Sequence, residues 1–360
     1  MEQANSALGM LDLMVRPAFA AKDGIITYVN PEASGCMLAV GMAVADLLDS
    51  GAEEYAALED GSLYLSVSIE GCSFGACVTR IDGFDIFILE QPQVQPELQA
   101  MALAARELRE PLSKLLIAAE RLLPSLDTQN PTTQQQAALL NSGLHQMLRQ
   151  VGHMSDAARY AAPTASCQEI RDITAVIQEV FDKAIVLTEH TGVSISFTNL
   201  SQSVFCLTDS EKLERAIYNI LSNAIKFATP DGRIEAKLTR QGSRLLLNFR
   251  DNGSSISDEV LGSIFSRHLR TPGIEEGRQG LGLGMVLIRS AAVAHGGTVL
   301  IQRIPEGGTS LTMTLAIRKK SETALSSPIL RVDYAGGFDH GLVELADILP
   351  TELYYPNNGK

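Results

Sequence analysis

The stretch Ala105–Leu116, A-R-E-L-R-E-P-L-S-K-L-L, restricts the fold of this chain more than any other. Apolar residues fall at Ala105, Leu108, Leu112, Leu115, Ala119 and Leu122, in alternating steps of three and four. That spacing lines one helical face, as in the seam of a helical bundle. Pro111 lies inside the pattern, where it removes one backbone hydrogen bond and is expected to kink the helix. A second periodic run, from about Thr133 to Tyr160, repeats Leu140, Leu144, Met147, Val151, Met154 and Ala158. Pro124–Thr132, with Asp127, Asn130 and Pro131, supplies the turn between the two. Residues 96–163 therefore read as a helical hairpin. Two such helices cannot bury their seams alone, so a second copy completing a four-helix bundle is expected.

The 360 residues leave room for two or three domains. With 5% aromatics and no Trp, the cores must be built mostly from Leu, Ile, Val, Ala and Met. The net charge of -13 argues against nonspecific binding to nucleic acid or anionic membrane. The longest charge-free apolar stretch, around Gly35–Ala45, is too short to span a bilayer. The N-terminus has no signal-peptide pattern, so a cytoplasmic location is expected. Cys36, Cys72, Cys77, Cys167 and Cys206 are scattered without a zinc-ligand spacing and read as reduced thiols.

Residues 1–95 read as an α+β domain. A hairpin with its turn at Asp23-Gly24 is followed by a helix starting near Asn30-Pro31. Three strand-like runs follow, Ser62–Ile69, Ser73–Ile81 and Phe84–Glu90, as an antiparallel meander. This order, with the D-G-x-I-x-x-x-N pattern of Asp23, Gly24, Ile26 and Asn30, resembles a PAS sensor domain. The resemblance implies a ligand pocket or a dimerisation module, with no residue here pointing to haem or flavin. Gln91–Leu98 is a proline-containing linker.

Residues 166–318 mix helical and strand patterns, as in an α/β sandwich. Helices are expected over Ile170–His190, Asp209–Phe227 and Gly284–His295. Strands are expected over Val193–Thr198, Arg233–Thr239, Arg244–Asp251, Thr298–Arg303 and Ser310–Arg318. Four motifs occur in order. Asn219 and Asn223 lie four apart on one helix, where an amide oxygen can meet Mg²⁺ or a phosphate group can be bound, though two surface asparagines would look the same. Asp251-Asn252-Gly253 ends a strand, where a carboxylate can accept an adenine amino hydrogen, and also reads as an ordinary turn. Ile264-Phe265 is the third. Gly280-Leu-Gly282-Leu-Gly284 leads into a helix, so its backbone N–H groups can face phosphates.

Together these motifs resemble the ATP-binding domain of sensor histidine kinases, in the wider family shared with gyrase and Hsp90. The resemblance implies ATP and Mg²⁺ as cofactors. Asn223 would bind the metal, Lys226 a phosphate, Asp251 the adenine, and Gly280, Gly282 and Gly284 the triphosphate, with Asn219 and Gly253 in the same boxes. Ser266–Gln279 would be the lid. Asn219 stands where the gyrase and Hsp90 branch carries its water-activating Glu, which disfavours simple hydrolysis. Ser255 replaces a glycine of the second box, at a position that often needs φ > 0, and His268 replaces an aromatic of the third.

The hairpin joins this resemblance. Histidine kinases carry H-E-L-R-x-P-L in the first bundle helix, and Arg106-Glu107-Leu108-Arg109-Glu110-Pro111-Leu112 matches it except at the phosphoacceptor, which is Arg106. Arginine remains protonated and is a poor phosphoryl acceptor. Glu107 would be the neighbouring acid, or a salt-bridge partner of Arg106, Arg109 or Lys114. The whole reads as an α+β multidomain chain: a PAS-like sensor, a dimeric hairpin and a histidine-kinase-type ATPase domain. The expected function is that of a degenerate kinase (a pseudokinase) signalling as a homodimer to a response regulator or another histidine kinase. The alternatives are an active phosphotransferase, using another histidine such as His145 or His153 or acting in trans on a partner, and a serine kinase of the anti-sigma-factor type. Residues 319–360 read as a separate extension, with strand-like runs at Ile329–Tyr334 and Gly341–Ala346 in a β-hairpin.

Overall fold

The computed structural model describes residues 11–12, 14–81, 83–90, 96–126, 130–161, 169–265, 283–319 and 335–355. Strands β1 (Ala18–Lys22) and β2 (Ile25–Val29) pair through Asp23 and Gly24, whose φ values of 52° and 77° suit a tight hairpin turn. Asn30 then caps helix α1 (Pro31–Gly35) by accepting the Ala33 N–H, with proline at the start. Asn30 is fully buried, and its amide also donates to the Leu11 and Arg16 carbonyls. Helix α2 (Ala52–Ala56) precedes the meander β3 (Ser62–Ile69), β4 (Cys72–Ile81) and β5 (Phe84–Glu90). Phe19 stacks on Phe87 at 4.5 Å in the core between them.

Helix α3 (Pro96–Leu122) continues through Pro111, and α4 (Pro131–Ala161) packs beside it. The expected seam divides in two. Of its residues Ala105, Leu112 and Ala119 are buried, joined by Leu116 and Leu123, against Ala137, Leu144 and Val151. Leu108, Leu115 and Leu122, spaced by seven, stay exposed, as do Leu140 and Met147.

Beyond the hairpin come β6 (Glu169–Asp172), α5 (Ile173–Thr188), β7 (Ser194–Asn199), β8 (Phe205–Thr208) and α6 (Ser210–Lys226). They are followed by β9 (Arg233–Gln241), β10 (Arg244–Asp251), α7 (Asp258–Ser263), α8 (Gly284–Ala294), β11 (Val299–Arg303) and β12 (Thr309–Ala316). The helix expected from Ile170 starts only at Ile173. Residues 169–172 pair with β8 instead, and Asp172 caps the helix by accepting the Thr174 N–H at 3.1 Å. Helices α5, α6 and α8 share an apolar core with β9, β10, β11 and β12, where Phe181 stacks on Phe197 at 4.2 Å.

The N-terminal meander and the sandwich, expected in separate domains, share one sheet. Its order is β2-β1-β5-β4-β3-β11-β12-β10-β9-β7, joined where Ser62, Leu63 and Tyr64 pair with Ile301, Leu300 and Val299. Gly61, at φ 118°, precedes the junction, and any side chain there would run into the Ile301 carbonyl. Two edge strands thus cover each other's open hydrogen-bonding groups.

The C-terminal extension also departs from expectation. Gly341–Ala346 is not a strand: residues 340–344 form helix α9 (His340–Glu344), capped by Asp339, whose carboxylate accepts the Leu342 N–H. Ile329–Tyr334 lies outside the described residues. The physical reason is burial of an apolar turn. Val343, Leu345 and Ala346 are almost wholly buried against the sandwich, and Tyr354 follows in the short 3₁₀ turn Thr351–Tyr354.

Candidate nucleotide site

Helix α6 is organised by residues at steps of four and three. Asp209 caps it by accepting the Lys212 N–H, and Leu213, Ala216, Ile217, Ile220 and Leu221 bury its apolar side. Arg215, Asn219, Ser222 and Lys226 lie along one other stripe. Asn219 is buried; its amide nitrogen donates to the Arg215 carbonyl at 2.8 Å. Its amide oxygen faces Gly284, the first residue of α8, so closely that a Cβ there would sit 2.9 Å from it. At the other end of the helix, a Cβ on Gly253 would meet the Phe227 carbonyl at 2.5 Å. The second half of α6 therefore lies between the Asp251–Gly253 turn and the start of α8, and glycine lets the chain approach the Asn219 side chain at Gly284 and the Phe227 backbone at Gly253. Asn223 is half-buried in this stretch. Gly280 and Gly282 fall outside the described residues, as do 266–279, the expected lid, with His268.

Asp251 accepts the Gly253 N–H at 2.9 Å. Burial raises its carboxyl pKa, and the Gly253 and Thr309 N–H groups oppose that rise. Ser255 does not take a positive φ, contrary to the strain expected there; its hydroxyl accepts the Gly308 N–H at 3.3 Å. The left-handed position is Gly308 itself, at φ 92°, packed on the Asp251 backbone. His295 is structural: its Nδ1–H donates to the Ala291 carbonyl at 2.7 Å, and Nε2 accepts the Asp209 N–H at 3.0 Å.

Residues on either side of 266–282 touch the strands of the N-terminal meander. Phe265 is fully buried 5.6 Å from the Tyr64 ring. The Phe265 carbonyl accepts from Arg289 on α8, which also pairs with Glu90 on β5 and lies over Tyr64 at 4.9 Å. Ser62 donates to the Leu261 carbonyl at 2.6 Å. The sheet junction thereby contacts residues on both sides of 266–282.

Lys226, expected on a phosphate, is 3.0 Å from Asp347 of the C-terminal segment. Asp347 also pairs with Arg149 of α4, which donates to the Ser222 hydroxyl at 3.2 Å. Glu344, with no exposed surface, accepts from Arg215 at 2.8 Å and His153 at 2.9 Å, and Arg215 pairs with Asp156. Sequence reasoning missed Arg149, Arg215, Glu344 and Asp347. A signal was present: two carboxylates inside the apolar run L-V-E-L-A-D-I-L, with Arg149, His153 and Asp156 stepping four and three along one helix. Arg106, by contrast, is exposed, and so is Glu107. Lys114, one partner considered for Glu107, pairs with Glu110 at 2.6 Å in a fully solvated position.

Burial pushes the pKa values of His145, His153 and His295 down, so all three are neutral in the folded chain. Burial alone would raise the Glu344 carboxyl, but Arg215, His153 and Arg149 outweigh it and bring it to about 2. As pH falls below the ordinary histidine value of 6.5, the unfolded chain takes up protons that the folded chain does not, so stability drops. A second loss begins below 4.5 and continues towards 2 as the unfolded Glu344 protonates first. Urea midpoints measured from pH 8 to 4 are expected to fall below pH 6.5. A flat profile between 7.5 and 5.5 would contradict the buried neutral histidines.

No described helix is long and apolar enough to cross a membrane, and no group of three His, Cys, Asp or Glu is placed to hold a metal among the described residues. The four described cysteines, Cys36, Cys72, Cys77 and Cys206, are free.

Residues 208–319 match the family described as histidine kinase-, DNA gyrase B-, and HSP90-like ATPase. The chain is similar to the alginate biosynthesis sensor protein KinB of Pseudomonas aeruginosa, 27% identical over 262 residues, which are 71% of this chain and 42% of the relative. It is also similar to the adaptive-response sensory kinase SasA of Crocosphaera subtropica, 28% identical over 236 residues, 63% of this chain and 61% of the relative. The chain thus spans less than two thirds of either relative. Full-length ShkA, solved in complex with AMPPNP, superposes with a TM-score of 0.50 at 21% identity, covering 62% of this chain and 46% of that one, a likeness of fold. Residues 208–319 are an ATPase domain of the histidine kinase, DNA gyrase B and HSP90 type, in a chain similar to sensor histidine kinases.

Proposed function

We propose that this chain is a signalling protein of the sensor-histidine-kinase kind that binds Mg-ATP and does not phosphorylate itself at the usual place in the hairpin. The observation that supports the reading is the approach of Asn219 to Gly284 and of Phe227 to Gly253 along the second half of α6, which brings together three motifs far apart in the chain. In this reading the start of α8 faces the triphosphate, Asp251 accepts the adenine amino hydrogen, and Lys226 meets a phosphate. Asn223 offers the protein's oxygen to Mg²⁺, whose remaining ligands come from the nucleotide's phosphates and water. The cation would neutralise phosphate charge there. The co-crystallised AMPPNP of ShkA supports a nucleotide at this fold.

Arg106 sits exposed on α3 in the frame where histidine kinases carry their phosphoacceptor. Its guanidinium is protonated at any physiological pH and offers no lone pair to phosphorus. His145 and His153, the two histidines of the hairpin, are buried, at 4% and 5% exposure, and do not present a nucleophile to solvent. Output then passes through shape, to a response regulator or another kinase. The exposed stripe of Leu108, Leu115, Leu122, Leu140 and Met147 fits a second copy of the hairpin, which would complete a four-helix bundle. Light scattering that reads a monomer at micromolar concentration would remove the dimer from this account.

Labelled ATP decides the central claim. The full chain is expected to bind nucleotide and acquire no acid-labile, base-stable phosphate, whereas Arg106→His is expected to acquire it. Such a phosphate on the unmodified chain would establish instead an active phosphotransferase using another histidine, and an acid-stable phosphate placed on an added partner protein would point to a serine kinase.

A further inference from the structure

The C-terminal segment 335–355 is not an appendage. It lies between the hairpin and the ATPase domain and is tied to both by side chains along its length. Asp339 pairs with Lys183 of α5 at 2.8 Å, and His340 meets Glu214 of α6 at 2.9 Å. Glu344 joins His153 of α4 to Arg215 of α6, and Asp347 joins Arg149 of α4 to Lys226 of α6. Further along, the Ala346 and Tyr354 carbonyls accept from Gln146 and Asn141 of α4. The His145 ring packs edge-on against Tyr354 and Phe338. Asp347 is almost buried, with 7% of its side chain exposed. A carboxylate at that depth, bracketed by a guanidinium and an ammonium, imitates a bound anion.

Its place matters because Lys226 is the residue expected to meet a nucleotide phosphate. Glu344 acts one turn further back. It holds Arg215, whose carbonyl accepts from Asn219, and Asn219 faces Gly284. The segment therefore touches both the lysine and the helix that presents the asparagines.

We propose that the C-terminal segment is an internal anionic ligand of the nucleotide site: Asp347 holds Lys226 in place of a phosphate, so that nucleotide and segment compete, and the bound segment fixes the hairpin against the ATPase domain. This rests on the reading that the site binds ATP. Binding of nucleotide then draws Lys226 from Asp347 and loosens the segment from α4. Conversely, a charge change at Asp347 frees the lysine.

The test uses the full chain, trinitrophenyl-ATP as a fluorescent probe with Mg²⁺, and Asp347→Asn, which keeps the side chain's shape. Asp347→Asn is expected to bind the probe about 3- to 10-fold more tightly, consistent with one charge-assisted contact no longer competing. Hydrogen exchange of the unmodified chain supplies a readout that needs no variant. Amides of residues 341–349 are expected to exchange faster when ATP is added, and Asn223→Ala is expected to abolish that response. Equal affinity of the two proteins, with unchanged exchange in 341–349 despite ATP binding, overturns the competition and leaves ATP binding intact. Absence of probe binding in both proteins overturns the ATP reading and the competition together.

Discussion

Replacing Glu344 by glutamine is expected to destabilise the docked C-terminal segment by about 3–5 kcal/mol, the cost of leaving a buried charge without its partner. Glu344 is fully enclosed, and Arg215 beside it is 1% exposed, so water cannot replace the lost carboxylate. Asp156 compensates Arg215 in part, which places the effect towards the lower end of that range. The loss has a ceiling. Once the docking free energy of the segment is exhausted, residues 335–355 release and Arg215 regains water. The measurement is therefore twofold: a shift of the urea midpoint, and loss of hydrogen-exchange protection at residues 341–349. A variant that removes all three charges, Glu344→Leu with Arg215→Met and Asp156→Asn, is expected to recover part of the loss, because none of the three is then left as a buried charge without its partner. A fall of less than about 1 kcal/mol in Glu344→Gln would mean that the ion pair is solvated and not buried.

The second large effect is on ligand binding. Asp251→Asn is expected to weaken ATP binding about 10- to 100-fold, the worth of a hydrogen bond to a charged acceptor. The folded state should change little, because the Asn oxygen can still accept the Gly253 N–H that Asp251 accepts at 2.9 Å. The altered amide also changes the preference between bases. A carboxylate only accepts, and so meets the adenine amino group; an amide can donate to the carbonyl of guanine. The ratio of ATP to GTP affinity is accordingly expected to fall in Asp251→Asn. Titration calorimetry with both nucleotides reads it, and unchanged affinity for ATP would remove Asp251 from the adenine contact.

The pH response separates these two charge systems. The buried histidines and Glu344 lie along the hairpin, at the end of α8 and in the C-terminal segment, so acid weakens the docked arrangement. Asp251 is shifted the other way by its burial, in a different part of the fold.

Much of this molecule was legible from local chemistry. Asp23-Gly24 set a hairpin turn because both residues tolerate positive φ, and Asn30-Pro31 started a helix because one caps and the other needs no donor. The strands Ser62–Ile69, Phe84–Glu90 and Arg244–Asp251 followed from patterns of period two between turn residues. The order of Asn219, Asn223, Asp251, Phe265 and the glycines carried a resemblance to the histidine-kinase ATPase domain, and residues 208–319 match that ATPase family. The heptad steps from Ala105 to Leu122 placed a helix and its apolar face.

Tertiary structure decided what periodicity cannot encode. Which half of the heptad stripe is covered depends on the neighbouring helix, and only there did Leu112 separate from Leu115. The joining of β3 to β11 rests on backbone groups at two strand edges, which carry no side-chain signature beyond the glycine that permits contact. Gly341–Ala346 read as a strand because its apolar residues suit either element; Asp339 at the cap and burial between three helices made it helical. Above all, Lys226 and Asp347 lie 121 residues apart. The sequence by itself determined that a lysine closes the Asn219–Phe227 motif and that an acid stands in an apolar run; only the folded chain brought the two charges within 3.0 Å, because long-range pairing depends on how whole elements pack and not on local spacing.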